Sequence, residues 1–327
     1  MRKIHWGVLG TADIARGQTI PGMQQAVHCE LTAIAGRSIE KARAYQVTFG
    51  FRKAYGSYDE LLADPEVEAV YIPLPNHLHC EWTIKALKAK KHVLCEKPLA
   101  ISEAQAAEMF RVAGENSMLL MEAFAYLHSP FMQAIKDELR FGSIGEVRYL
   151  ESAFITGRRP DTDIRLRRET CGGALFDLGC YDVSTALWLL EKEPDTVLAN
   201  AQFSEKQIDL YTSALLLYDS GAVANLNCGM LLPHGRLDRF HIFGTEGEIV
   251  SPVEFNQCGE IPYYLVRDGV RLQKTVTVPN NYMLEVEQLS RCILGFDMTH
   301  VSRDFSLRNA RVMDRIMNAI GYWERNP

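Results

Sequence analysis

The sequence predicts an α/β protein of two domains. An N-terminal doubly wound parallel sheet occupies residues 1–122, and an α+β domain built on a large, mostly antiparallel open sheet follows over residues 123–327. Three observations predict this. The 327 residues exceed what one hydrophobic core normally fills, about 250–300 residues. Up to residue 122, short apolar runs alternate with helical patterns, the rhythm of βαβ units. Beyond about residue 143, strand-like runs follow one another with tight turns between them.

The strand-like runs of the first half are Ile4–Leu9, 31–35, 69–73, 92–95 and 118–121. Helical spacing fills the intervals, as at Ile39–Phe49 and 81–89, and right-handed crossovers put such helices on both faces of the sheet. In the second half the strands fall at 146–155, 210–218, 222–230, 240–243, 263–266 and Val270–Val278. Asp219-Ser220-Gly221 and Asp268-Gly269 supply hairpin-like turns, where glycine permits positive φ. A helix is expected over 174–190. A last helix is capped by Asp304 or Ser306 and carries the stripe Val312, Met313, Ile316, Met317 and Ile320.

Hydrophobic residues make up 47% and charged residues 23%, as in a folded globular chain. The net charge of −6 comes without a basic face, which argues against nucleic acid as a partner. No run approaches the ~18 apolar residues of a membrane span, so no membrane partner is expected. Eight scattered cysteines without a CxxC pair fit a reducing cytoplasm.

The first strand leads into Gly7-Val8-Leu9-Gly10-Thr11-Ala12-Asp13-Ile14-Ala15. Against the Rossmann fingerprint G-x-G-x-x-G/A, Gly10 takes the first place, and Ala12 and Ala15 take the second and third. Such a turn bends tightly, approaches a pyrophosphate closely and leaves helix N-terminal amides for negative charge. Gly10, Thr11, Ala12, Asp13 and Ile14 are therefore candidate cofactor contacts, although a strand-to-helix turn without ligand shares the spacing. At the end of the second strand, where an NAD enzyme commonly has Asp or Glu, the chain has Gly36-Arg37-Ser38. Arg37 can grip a 2′-phosphate through paired charge-assisted hydrogen bonds, and Ser38 can add a donor. NADP(H) is favoured on this reading and NAD(H) stays open, a solvated Arg37 being the alternative.

The run at 92–95 enters Glu96-Lys97-Pro98. Ligands of open parallel sheets sit outside the carboxyl ends of strands, which sets Lys97 in the crevice, and the proline is a candidate for a cis peptide. Farther on, Cys171-Gly172-Gly173 precedes a helical stretch in which Asp177 and Tyr181, at i and i+4, share a face. On spacing alone, a structural hydrogen bond is the better reading of that pair. His77, His79 and Cys80 make a weak zinc signal without a further spaced partner, and no metal is expected.

Together, the degenerate glycine loop, Glu96-Lys97-Pro98, Met121-Glu122-Ala123-Phe124 and the Gly-Gly-Ala-Leu-Phe-Asp-Leu-Gly-Cys-Tyr run at 172–181 resemble the glucose-fructose oxidoreductase, inositol dehydrogenase and MocA family. The resemblance spans the chain, including the order of motifs. Tyr181 stands where the inositol-dehydrogenase-like branch has histidine, so the chain is more similar to the branch of dimeric dihydrodiol dehydrogenase and xylose dehydrogenase. The resemblance implies an oxidoreductase moving hydride between the nicotinamide and a secondary alcohol or carbonyl of a sugar, polyol or trans-dihydrodiol. It implies that Lys97 is the catalytic lysine paired with Tyr181 and that Asp177 supports the site. It also implies cofactor contacts through Asn76 and His77, in the loop opened by Pro75, and a homodimer or higher homo-oligomer through the open sheet face. Glu96, Glu122 and Ala123 end strands near where the nicotinamide should lie. One departure is Leu127, at a position where many relatives carry arginine.

The chemistry fits these residue types. A free tyrosine, with pKa ~10, is a poor base at neutral pH, and an ammonium within ~4–6 Å favours the phenolate. Lys97 is thus expected to tune Tyr181, while Asp177 orients the site and contacts substrate. Tyr126, Phe154, Arg158 and Arg165 complete the candidate substrate contacts. The rival readings are a non-catalytic NADP-binding regulator and a glycosidase that retains its cofactor through transient oxidation.

Overall fold

The computed structural model describes residues 1–232, 235–252 and 255–325. The chain divides into two compact units, Met1–His128 with Pro279–Ser306, and Ser129–Val278 with Leu307–Pro327. The first crossing falls a few residues beyond the expected 122/123 cut, and the return of residues 279–306 to the first unit is a feature that a single cut does not contain.

In the first unit β1 (Ile4–Leu9), β2 (Cys29–Ala35), β3 (Lys53–Tyr55), β4 (Ala69–Ile72), β5 (His92–Glu96) and β6 (Leu120–Ala123) form one sheet in the order β3-β2-β1-β4-β5-β6. Every neighbouring pair is parallel. Parallel strands need crossovers, which α1 (Ile20–Gln25), α2 (Ile39–Phe49), α3 (Tyr58–Ala63), α4 (His79–Lys88) and α5 (Glu103–Asn116) help supply. Ser38, Ser57 and Ser102 cap α2, α3 and α5 with their hydroxyls. Helices on both faces bury the central strands, and Trp6, Val8, Val70 and Leu94 are all fully buried. The strand order reverses between β1 and β4, and in such sheets ligands bind at the carboxyl ends beside that switch point.

The second unit contains α6 (Pro130–Arg140), α7 (Cys180–Leu190) and an eight-stranded sheet. Its strands are β7 (Val147–Gly157), β8 (Thr196–Phe203), β9 (Asp209–Leu217), β10 (Val223–Leu232), β11 (Arg236–Gly244), β12 (Glu248–Ser251), β13 (Gly259–Arg267) and β14 (Val270–Val278). They lie in the order β14-β13-β12-β11-β7-β10-β9-β8, and only β7 and β10 run parallel. Both expected turns are present: Gly221 has φ +80°, and Asp268 and Gly269 have φ +52° and +75°.

Then α8 (Asn281–Ile293) packs on the first unit, where Trp6 Nε1 donates to Ser290 Oγ at 3.0 Å. The final helix, α9 (Arg303–Ala319), begins earlier than expected. Its cap is neither Asp304 nor Ser306 but Ser302, whose hydroxyl accepts from Phe305 N at 3.2 Å. Nor is 174–190 one regular helix: Leu175–Gly179 is a π-helical turn that leads into α7, and a second such turn, Ala15–Thr19, leads into α1. Such wide turns occur frequently at functional sites.

Candidate active site

Three loops meet at the carboxyl ends of β1, β2 and β4. Gly10 N donates to Ala35 O at 2.9 Å, and its φ of +131° is a conformation open to glycine. A Cβ at Gly10 would stand 3.1 Å from Leu74 Cδ2, and one at Gly36 would stand 3.4 Å from Thr11 Cγ2. The loops after β2 and β4 therefore close directly on the glycine turn. Arg16 N donates to Ala12 O at 3.0 Å as the helix begins, and the amides just ahead of it lack helical acceptors. Those amides, the bent Gly10 and the exposed Arg37 fit a dinucleotide phosphate chain with a 2′-phosphate. Ser38 is more committed than expected, since its hydroxyl accepts from Lys41 N at 3.3 Å and donates to Glu40 Oε2 at 2.6 Å.

Behind Lys97 lies a buried polar chain. Thr19 Oγ1 donates to the Tyr71 hydroxyl at 2.9 Å, which donates to Glu96 Oε1 at 2.5 Å, while Glu96 Oε2 accepts from Lys97 N at 3.2 Å. Burial, then the Glu96 charge, pushes the Tyr71 phenol well above its ordinary pKa, which keeps it a donor. Lys97-Pro98 is a cis peptide. Fully buried His79 faces Pro98 O at 2.8 Å with Nδ1 and Leu74 O at 2.7 Å with Nε2, joining the loop after β4 to the lysine segment. Burial pulls its pKa down, and the neutral ring donates to one carbonyl at a time.

Glu122 is 1% exposed, and its Oε1 accepts from Leu99 N at 2.8 Å, two residues beyond Lys97. Burial raises its carboxyl to about 7, the charge of Glu96 adding to the rise. The folded chain thus holds this proton more tightly than the unfolded chain. Its stabilising contribution is complete below pH ~4.5 and is lost as pH rises through about 7, a change of order 3 kcal/mol. Denaturant melts across pH 5–8 should therefore show stability falling with pH, and Glu122→Gln should flatten that fall while keeping the acceptor for Leu99 N. An unaltered slope in the variant would show that Glu122 does not retain the proton.

In the second unit, the paired glycines answer to packing. A Cβ on Gly172 would strike the Arg165 carbonyl, and one on Gly173, which has φ +124°, would strike the Asp209 carboxylate. Asp209 in turn accepts from Leu175 N and Thr212 Oγ1, both at 2.7 Å, and so anchors the π-helical turn. A Cβ on Gly179 would stand 2.9 Å from Cys228 Sγ, so glycine lets the helix approach β10. Asp177 lies in the wide turn and Tyr181 in the first turn of α7.

Two guanidinium groups hold Asp177. Arg159 donates from Nη2 to Oδ2 at 2.9 Å, and Arg165 Nε pairs with Oδ1 at 2.8 Å. Asp163 faces the same arginines at 3.6 and 3.4 Å. Arg165 is driven further above its ordinary pKa, first by the charge of Asp177. The Tyr181 ring packs against Phe154 at 5.2 Å between centroids and Phe255 at 5.4 Å. The Arg236 guanidinium covers Phe154 at 4.7 Å and is held by Asp238 Oδ2 at 2.5 Å. Such an aromatic wall packs against the half-buried ring of Tyr181.

The expected residues thus divide cleanly. Gly10, Thr11, Ala12, Asp13, Ile14, Arg37, Ser38, Pro75, Asn76, His77, Glu96, Lys97, Glu122 and Ala123 lie in the first unit, in or just after β1, β2, β4, β5 and β6. Phe154, Arg158, Arg165, Asp177 and Tyr181 lie in the second, where Asp177 meets Arg165 and Tyr181 meets Phe154. Arg158 is exposed. Tyr126 is fully buried and edge-on to Phe124 at 6.0 Å, so its ring offers a ligand no surface. Arg159, Phe255 and Asp209 were missed by sequence reasoning. Only Arg159 had a signal, the Arg158-Arg159 pair, and sequence could not choose between its members. Among the described residues, no group of three His, Cys, Asp or Glu could hold a metal ion, and no helix is long and apolar enough to cross a membrane.

This arrangement defines a dinucleotide-binding unit joined to a unit that presents an acidic and phenolic helix, and comparison with known proteins assigns the class. Residues 4–124 match the family model described as an oxidoreductase family with an NAD-binding Rossmann fold, and residues 132–250 match the GFO/IDH/MocA C-terminal domain. The chain belongs to the GFO/IDH/MocA family of oxidoreductases. It is 36% identical over 318 residues to a D-xylose 1-dehydrogenase (NADP(+)) of Haloferax volcanii, covering 95% of each chain. It is 31% identical over 335 residues to a trans-1,2-dihydrobenzene-1,2-diol dehydrogenase of Xenopus tropicalis, covering 97% of this chain and 98% of the other. Among solved structures, a 3-ketoreductase from Actinomadura kijaniata in complex with NADP and TDP-benzene superimposes with a TM-score of 0.92, at 31% identity and 98% coverage of both chains.

Proposed function

We propose that this oxidoreductase uses NADP(H) to interconvert a secondary alcohol and a carbonyl on a sugar or polyol, with Tyr181 as acid/base and Lys97 as its cationic partner. The observation that carries the reading is the convergence of the Gly10 turn, the Arg37 segment and the loop after β4 beside the switch point, with Lys97 at the end of the neighbouring β5. The bound nicotinamide would supply or accept the hydride. The chain's residues do the remainder. The helix amides after Ala12 and the Arg37 guanidinium bind phosphate charge, and Glu96 and His79 fix the Lys97 segment from behind. Tyr181 transfers the proton at the substrate oxygen, and the Lys97 ammonium favours its phenolate. Asp177 accepts from a neighbouring substrate hydroxyl.

The preference for NADP(H) is supported by Arg37 and by the cofactors named for the Haloferax dehydrogenase and the Actinomadura ketoreductase. Sugar substrates are supported by the same dehydrogenase, whereas a trans-dihydrodiol would draw on the Phe154–Phe255 wall. A nucleotide-linked sugar is a second reading, favoured by the exposed Arg158 and Arg167, which can pair with a diphosphate. The open sheet face presents Tyr149, Tyr211, Phe243 and Leu215, a surface suited to a homodimer.

The reading is tested by nicotinamide absorbance with both cofactors against aldoses, polyols, trans-dihydrodiols and dTDP-linked sugars. Turnover with one class and NADP(H) is the expected result. Tight cofactor binding without turnover of any class would instead support the regulator, and retained cofactor with glycoside cleavage would support the redox glycosidase.

A further inference from the structure

The network around Asp177 is built with more care than a solvated loop needs. Residues 159–168 carry Arg159 and Arg165 onto the carboxylate, with Asp163 against both arginines, and the backbone of the same segment is stapled to the start of the helix. Gly173 N donates to Arg165 O at 2.9 Å, and Gly172 N donates to Arg167 O at 3.0 Å. Glycine at 172 is what allows that approach, since any Cβ there would meet the Arg165 carbonyl. The two arginines and two aspartates balance in charge, and each Asp177 oxygen faces a different guanidinium. Arg159 and Asp177 have side chains only 24% and 11% exposed, so their attraction is screened less than that of a surface pair. A carboxylate alone in a wide π-helical turn would rotate about its side-chain bonds. Hydrogen-bonded on Oδ2 and ion-paired on Oδ1, it is restrained from that rotation.

We infer that Arg159 is a positioning residue of the reaction, fixing the Asp177 carboxylate one helical turn before Tyr181. The inference rests on the proposed function, in which Asp177 accepts from a substrate hydroxyl beside the reacting carbon. Arg159 itself touches neither the substrate nor the proton in transit. Its contribution is to hold an acceptor within the fraction of an ångström that a productive geometry demands. Asp177 paired in this way serves as a hydrogen-bond acceptor and not as a second proton carrier.

The test is a double-mutant cycle in kcat/KM, read well below the melting temperature, with cofactor Kd measured alongside. Arg159→Ala should lower kcat/KM about tenfold with cofactor affinity unchanged, and Arg159→Lys should recover part of the loss. Asp177→Asn should lose at least as much, and the double variant should be no worse than Asp177→Asn within about twofold. Losses that multiply would show that Arg159 acts independently of Asp177 and would overturn the inference, as would an Arg159→Ala enzyme of full activity. If Arg159→Ala does not fold, the cycle is run with Arg159→Lys and read by the same criterion. Failure of the broader reading is distinguishable, because it would appear as undiminished turnover in Tyr181→Phe.

Discussion

Replacing Tyr181 by phenylalanine is expected to lower kcat by about 10²-fold or more while leaving NADP(H) affinity nearly unchanged. The substitution removes one oxygen and keeps the ring that packs against Phe154 and Phe255, so the wall and the start of α7 should survive it. All of the proposed phosphate contacts lie in the other compact unit, which is why cofactor binding should be spared. A companion variant, Lys97→Met, separates proton transfer from positioning. On the proposed pairing, loss of the Lys97 ammonium raises the phenol's pKa, so the limb of the oxidative pH–rate profile assigned to the base should move to higher pH. Turnover by Tyr181→Phe at the wild-type rate would take the phenol out of the chemistry. A profile that stays in place in Lys97→Met would leave Tyr181 without its tuning partner.

Strong local patterns made most strands of both sheets legible, and weak ones hid β3, β8 and β12. β1, β4 and β5 are continuous apolar runs because helices cover both faces. β3 is a three-residue edge strand and β12 has only four residues, too few to display a period. β8 alternates between exposed and half-buried positions at the sheet edge, so no apolar face marks it. The last-helix cap was misread because acidic and hydroxyl residues cluster near its start, and only the hydrogen bond to Phe305 N singles out Ser302.

The candidate site shows the same division. Gly10, Lys97 and Tyr181 stand in motifs whose spacing is visible in sequence. The partners that hold such residues come from far along the chain: Asp209 anchors the turn at Leu175, and His79 reaches Pro98. Contacts of this kind depend on tertiary folding, and nothing in the local sequence announces them. Ser38 carries a local role that its motif does not announce, since its hydroxyl accepts from Lys41 N at the helix cap and donates to Glu40.

That commitment of Ser38 sharpens what Arg37 must do. If the serine is occupied and Glu40 contributes a negative charge beside it, the attraction for a 2′-phosphate falls chiefly to the exposed Arg37 guanidinium. A charge-assisted pair contributes about 1.5–3 kcal/mol, and a carboxylate in its place adds repulsion toward a phosphate dianion. Arg37→Asp should therefore weaken NADP(H) binding and supply an acceptor for the ribose 2′-hydroxyl of NAD(H), changing the preference ratio by about 10²-fold or more. The loss in NADP(H) affinity should shrink at high salt, because Arg37 is exposed and its field is screened. Fluorescence titration with both reduced cofactors measures this directly. Equal affinity for NADPH before and after the substitution would mean that the side chain points away from the adenosine ribose and that another group recognises the phosphate.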